Sequence, residues 1–135
     1  MKKVFVDANV FLRFLTRDDE GHHQRASRLF ERAVSGEISL HTGPPVFFEV
    51  AWTLRSSYGL ANEAVLDVLA RMLSLPGMHA SDADLVADAI SRSRESEVEF
   101  ADAYILSSAH AIKLDEVATF NRSDFRKLSA KLYKL

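Results

Sequence analysis

Three of the nineteen acidic residues in this sequence stand among apolar neighbours where an acid needs a reason. Asp7 follows Val4-Phe5-Val6, Glu49 lies between Val46-Phe47-Phe48 and Val50-Ala51-Trp52, and Asp102 lies between Phe100-Ala101 and Ala103-Tyr104-Ile105-Leu106. Burying an unpaired carboxylate costs several kcal/mol, the scale of a domain's whole stability, so each requires a cation, a hydrogen-bond network or an exposed position. Each also has a plain reading. Asp7 can cap the helix that follows it. Glu49 can face water or pair with Arg55. Asp102 shares helical spacing with Ile105, Leu106 and Ala109, a core-facing stripe, with no basic residue three or four positions on. Taken together, one acid at a strand end and two in apolar helical faces can converge at one end of a sheet. Carboxylates brought together repel, and with no thiolate available the resolution is a hard divalent cation on oxygen ligands, magnesium or manganese fitting best. Such a cation acidifies a water and neutralises charge on a phosphate, the chemistry of phosphodiester hydrolysis.

The elements that must position these acids can be read from periodicity. Lys3 to Asp7 reads as a buried strand running directly into a helix with Val10, Phe11, Leu12, Phe14 and Leu15. After the turn-rich Thr16 to Gly21, the positions Ala26, Leu29, Phe30, Ala33 and Val34 make a second helix stopped by Gly36. Ile38 to Thr42 is a second strand. Gly43-Pro44-Pro45 opens a helix carrying Glu49 to about Tyr58, ended by Gly59. Val65, Leu66, Leu69, Met72 and Leu73 form another stripe closed by Pro76-Gly77, with Met78 to Ala80 as a short strand. Ser81 and Asp84 resemble a capping box opening a helix through about Ser93. Arg92 to Glu99 reads as a loop, Phe100 to Ile112 as a helix, Val117 to Thr119 as a strand and Asp124 to Leu128 as a last helical turn. Strands alternating with helices predict an α/β fold with a mainly parallel sheet covered on both faces. Ligands in such sheets sit beyond the carboxyl ends of the strands, where Asp7 and the Thr119 to Asp124 loop fall.

Composition bounds the remaining possibilities. The 135 residues, 47% hydrophobic and 27% charged, suit one domain over residues 1–135. No apolar stretch approaches the roughly 20 residues needed to span a bilayer, and the charged start gives no signal peptide, so the expectation is a cytoplasmic protein with no membrane contact. The absence of cysteine removes disulfides and thiolate chemistry. The net charge of -2 argues against coating a duplex, but a local basic rim suffices for gripping a short nucleic acid.

Four stretches in order, Val-Asp-Ala-Asn-Val-Phe-Leu at 6–12, Val-Phe-Phe-Glu-Val at 46–50, Phe-Ala-Asp-Ala-Tyr-Ile at 100–105 and Thr-Phe-Asn-Arg-Ser-Asp-Phe at 119–125, resemble the successive motifs of PIN domains. Each is short, but the series covers nearly the whole chain. The resemblance implies a three-layer α/β/α PIN-like fold and, among small bacterial and archaeal members, a VapC-type toxin: a Mg²⁺-dependent endoribonuclease, with Mn²⁺ as substitute, restrained by a VapB-like antitoxin and forming a homodimer. It gives Asp7, Glu49 and Asp102 the three principal metal-binding and catalytic roles, and RNA products with 5′-phosphate and 3′-hydroxyl ends. Many members carry an acid where this chain has Asn121; others pair an asparagine there with an aspartate three residues on, as Asn121 and Asp124 do here. Asn121 then serves as a neutral ligand and Asp124 as a further metal-binding and catalytic acid, although Asp124 also suits a helix start.

Further candidates carry two readings. Arg13 and Arg122, like Arg17 and Arg126, can reach a phosphate or serve as surface charges. Thr119 and Ser123 can position water or phosphate, or satisfy a turn. His22-His23 reads as a solvated helix start rather than a metal pair; His41, His79 and His110 are isolated in sequence; Trp52, Tyr104 and Phe120 read as core. Two rival functions remain: a PIN-like scaffold that binds RNA without cutting, and a phospho-acceptor receiver domain. The receiver fits poorly, since it needs paired acids after the first strand and a late lysine, whereas the chain has Val6-Asp7-Ala8-Asn9 and no lysine between Lys3 and Lys113.

Overall fold

A computed structural model describes residues 1–135. Strand β1 (Lys2–Phe5) leads through Val6 and Asp7 into helix α1 (Ala8–Thr16), followed by α2 (Glu20–Val34), β2 (Ile38–Thr42), α3 (Pro44–Ser56) and α4 (Asn62–Ser74). Then come β3 (Met78–Ala80), α5 (Ala83–Ser96), α6 (Phe100–Ala111), β4 (Glu116–Val117), α7 (Arg122–Lys127) and β5 (Lys131–Leu132). All strand pairs are parallel, and seven helices surround them, in keeping with the layered α/β/α class the sequence predicts. No helix is long and apolar enough to cross a membrane.

The strands form two sheets, one in the order β1-β2-β3 and one of β4 with β5. In the first, Val4, Leu40 and Met78 are register partners, as are Phe5, His41 and His79. Because strand side chains alternate, each set lines one face. The helical cover is uneven between the two. Val6, Ile38, Leu40, Thr42 and Met78 are buried, whereas Phe5 is 65% exposed and Lys3 and His79 face solvent. The expectation of a buried first strand therefore holds for Val6 but not for Phe5, since β1 is an edge strand. His41 and His79 are not isolated either: as register partners their rings stack at 5.1 Å.

The main core gathers Phe11, Phe47, Leu54, Leu66, Leu69 and Met72, all with almost no exposure. Each such side chain contributes about 1.5–3 kcal/mol on burial. A smaller second cluster of Val98, Ala103, Leu106, Phe125 and Leu128 ties α6 to α7. Gly77 closes the turn before β3 at φ +76, and a Cβ there would meet the Ala33 backbone oxygen at 2.9 Å, so both conformation and space demand glycine.

Several boundaries differ from the sequence reading. The Ser81/Asp84 capping box does not form: Asp82 precedes α5 in the left-handed region at φ 52, and no side chain caps the helix. The stretch from Arg92 is helical to Ser96 rather than a loop, because Arg92 pairs with Asp88 and Arg94 with Glu63 and Asp67, which holds its charged face in helical register. The strand expected at Val117 to Thr119 lies at Glu116–Val117. Trp52 and Phe120 are 70% and 91% exposed and are not core, while Tyr104 is buried at 9%.

Candidate metal centre

Asp7 ends the extended segment after β1 and is the N-cap of α1, its Oδ1 accepting from the Ala8 amide at 2.8 Å. An aspartate satisfies an otherwise orphaned donor there, so its capping reading is realised, and its carboxylate remains exposed at the carboxyl edge of the sheet. Glu49 lies in the second turn of α3 and is exposed, because Val46, Phe47 and Val50 take the buried face of that helix. Arg55 is not its partner: Arg55 pairs with Glu99.

Asp102 lies in the first turn of α6 and is half-buried. Its expected stripe is split, for Leu106 is fully buried while Ile105 is 51% exposed. The loop between β4 and α7 comes back against it. Asn121 Nδ2 donates to Asp102 Oδ2 at 3.1 Å and to Asp124 Oδ2 at 3.0 Å. Its own backbone N–H donates to Thr119 Oγ1 at 2.9 Å, which gives Thr119 the turn-forming role. Burial raises the Asp102 carboxyl above the ordinary carboxylate range, and the charges of Asp124 and then Glu99 raise it further. Asp124 also borders a cleft of about 310 Å³ shared with Arg55, Asn62, Glu97 and Glu99.

Asp102, Asn121 and Asp124 are thus brought together. Asp7 and Glu49 are not among the charges acting on Asp102, and no group of three or more acidic, histidine or cysteine side chains is close enough to hold a metal. The donor chemistry nevertheless fits a hard divalent cation. Two carboxylate oxygens converge on one amide nitrogen, a partial positive charge sitting between two anions, and every donor is oxygen once the amide presents its carbonyl.

Among the other candidates, Arg13 is held by Asp18 at 3.1 Å, and Asp18 also accepts from Tyr58 and Thr16. Arg122 and Ser123 open α7 beside Asn121 and are exposed. His22 sits next to Asp19 at the start of α2, and His23 Nδ1 lies 3.3 Å from the Arg13 carbonyl, in line with a helix-start reading. Phe120, which the sequence reads as core, instead stands exposed directly before Asn121, in a loop with no helical periodicity to settle its orientation.

No curated protein matches the chain. Among solved structures, the crystal structure of VapBC2 from Rickettsia felis bound to a DNA fragment from their promoter is similar over 98% of this chain and 98% of that one, at 16% identity and a TM-score of 0.37. PIN domains typically use divalent metal ions. All four motif stretches fall within residues 4–131, which match the family model described as PIN domain, and the chain belongs to the PIN domain family.

Proposed function

We propose that the protein is a divalent-metal-dependent endoribonuclease, one nuclease domain over residues 1–135, acting as the toxin of a VapBC-type pair with a VapB-like antitoxin as partner. The observation that carries this reading is the Asp102–Asn121–Asp124 cluster, two carboxylates meeting at one amide with Asp102 raised above its ordinary range. It lies in a chain whose family typically uses divalent metal ions. Asp102 and Asp124, together with Asp7 and Glu49, would hold Mg²⁺ or Mn²⁺, with Asn121 as a neutral oxygen ligand. When bound, the cation polarises the scissile phosphate and lowers the pKa of the attacking water.

The protein's own residues do the rest. Thr119 fixes the Asn121 backbone and so the bearing of its amide. Arg122 offers a charge to a neighbouring phosphate, and exposed Phe120 offers a face on which an unpaired base can stack. Stacking of this kind suits single-stranded RNA, because bases in a duplex are not free to splay out. Incubating the purified protein with structured and unstructured RNAs, in Mg²⁺, in Mn²⁺ and in EDTA, tests the reading. Cleavage that EDTA abolishes is expected; intact RNA under every divalent condition, with folded protein, overturns it. RNA retention without cleavage would instead support a binding scaffold.

A further inference from the structure

The cleft of about 310 Å³ that Asp124 borders does not end with the acids. Glu97 and Asp124 line that part, Trp52 lines an adjoining space of about 60 Å³, and Arg55, Asn62 and Glu99 line both. The two spaces therefore meet at the Arg55–Glu99 ion pair.

The hydrogen-bonding capacity of this lining is one-sided. Ionised Glu97, Glu99 and Asp124 only accept, and Arg55 is the one cationic donor among them. Arg55 is already held by Glu99, and Arg94, the base nearest Glu97 in sequence, is held by Glu63 and Asp67, so Glu97 stands outside every ion pair. A further acceptor is open. Asn62 donates its amide nitrogen to Ser93 Oγ at 3.1 Å, while its Oδ1 is buried with no donor. Buried acceptors are nearly always satisfied, so this one marks a place for a donor from outside the chain. Flat surfaces lie beside these acceptors. Trp52 is 70% exposed and stands one helical turn before Arg55 on α3, so indole and guanidinium share a side of that helix. Both are surfaces on which a nucleobase stacks.

We propose that this cleft is a base-specificity subsite for RNA and that it takes guanine, stacked on Arg55 with Trp52 at the rim and its Watson–Crick edge toward Glu97. Of the four bases only guanine carries two adjacent N–H donors on that edge, N1–H and N2–H, which one carboxylate accepts together. Adenine and cytosine bring one amine beside an acceptor nitrogen, and uracil one N–H between two carbonyls, so each would set acceptor against acceptor here. Asp124 stands where the cleft meets the Asp102–Asn121–Asp124 cluster, which places the guanine next to the phosphate to be cut. The subsite rests on RNA being the substrate, as in the function proposed above.

Short unstructured RNAs that carry guanosine, inosine or adenosine at one position in a run of uridines test it, by fluorescence anisotropy in EDTA to separate binding from cleavage. The guanosine RNA should bind about tenfold more tightly than the adenosine RNA, with inosine, which lacks the N2 amine, between them. Glu97→Gln should bring the guanosine RNA to the adenosine level and leave the adenosine RNA unchanged, whereas Trp52→Ala should weaken all three alike. Glu97 is exposed at the end of α5, so its replacement should keep the fold, which a melting curve checks. Mapping the cuts in Mg²⁺ gives a second readout: they should cluster at guanosines in the wild type and scatter in Glu97→Gln.

Equal binding of the three RNAs by the wild type, or a guanosine preference that survives Glu97→Gln, overturns the proposal. So does binding of an arginine-rich peptide in place of the RNAs, which would assign the cleft to a basic protein segment. Cleavage with no base preference removes the subsite and leaves the nuclease. A guanosine preference in a protein that cuts nothing keeps the subsite and removes the nuclease reading, and neither binding nor cleavage of any RNA removes both.

Discussion

Asp102 faces Asp124 across a single amide: the Asn121 nitrogen donates to both carboxylates, at 3.1 and 3.0 Å. One amide dipole neutralises two charges only in part, which is why Asp124 still pushes the Asp102 carboxyl upward, after burial and ahead of Glu99.

The first prediction follows from that ordering. Asp124→Asn should let the Asp102 pKa fall towards the ordinary carboxylate range without reaching it, because burial, the larger cause, remains. Following the side-chain carboxyl carbon of Asp102 by NMR across pH 3–8 measures this. An unchanged titration would show that the two carboxylates do not interact. Asp124→Asn should also weaken metal binding more than Asn121→Ala, since only the first removes a charge from the site.

Amide substitutions should separate charge from fold. Asp7→Asn, Glu49→Gln and Asp102→Asn are each expected to lower metal-dependent RNA cleavage at least tenfold while leaving a folded protein, a loss of about 1.4 kcal/mol or more in transition-state stabilisation. Folding should survive for local reasons, at Asp102 because an asparagine oxygen there still accepts from Asn121 Nδ2. Asparagine caps a helix as well as aspartate does, and Glu49 is exposed. Wild-type rates in folded Asp7→Asn and Asp102→Asn proteins would exclude the proposed centre.

How far the sequence carries the structure depends on whether a feature is local. α3 was legible because Pro44-Pro45 and Gly59 punctuate it and Val46, Phe47, Val50 and Leu54 repeat at helical spacing. The start of α5 was misread because Ser81 and Asp84 satisfy a pattern that the left-handed Asp82 backbone does not allow to form. β5 and the division into two sheets were not legible at all. Two-residue strands leave no period, and which strands pair is settled by packing between distant segments. The site divides in the same way: Asn121 and Asp124 share one loop and helix start, so their meeting is local, and the paired role that the family resemblance gives them needs no distant packing. Where Asp7 and Glu49 lie relative to Asp102 depends on how α6 docks on α3 and α5, which no local pattern encodes.

Substrate contacts should be separable from metal contacts. Phe120→Ala should weaken single-stranded RNA binding by about 1–3 kcal/mol, the worth of one stacked base, and leave metal affinity unchanged. Arg122→Ala should reduce the salt dependence of RNA binding by about one phosphate contact. Arg13→Ala should matter less, because Asp18 already holds that guanidinium. Fluorescence anisotropy with a short unstructured RNA at several salt concentrations reads all three. Equal losses from Arg13→Ala and Arg122→Ala would place the RNA path along α1 instead.

The centre should also carry a stability cost that metal reverses. The folded Asp102 pKa is raised, so between the ordinary carboxylate value and the raised one the folded chain binds more protons than the unfolded chain, and stability falls as pH rises through that window. Below the window Asp102 is protonated in both states, and Asp102→Asn should match the wild type. Above it, in EDTA, the variant should be the more stable. Like charges about 5 Å apart at an effective dielectric near 20 repel by roughly 3 kcal/mol. Screening at a half-buried site reduces this to about 1 kcal/mol, or roughly 3–5 °C in Tm for a chain of this size. Saturating metal at 100 times its dissociation constant adds about 2.7 kcal/mol to the wild type, and the variant, lacking the Asp102 charge, should lose much of that gain. The Tm order should therefore invert between EDTA and excess Mg²⁺ or Mn²⁺. Melting both proteins at pH 3.5 and pH 7.5, with EDTA and across a divalent titration, provides the check. A purely structural role for Asp102 predicts a variant less stable in EDTA at both pH values, with an undiminished response to metal.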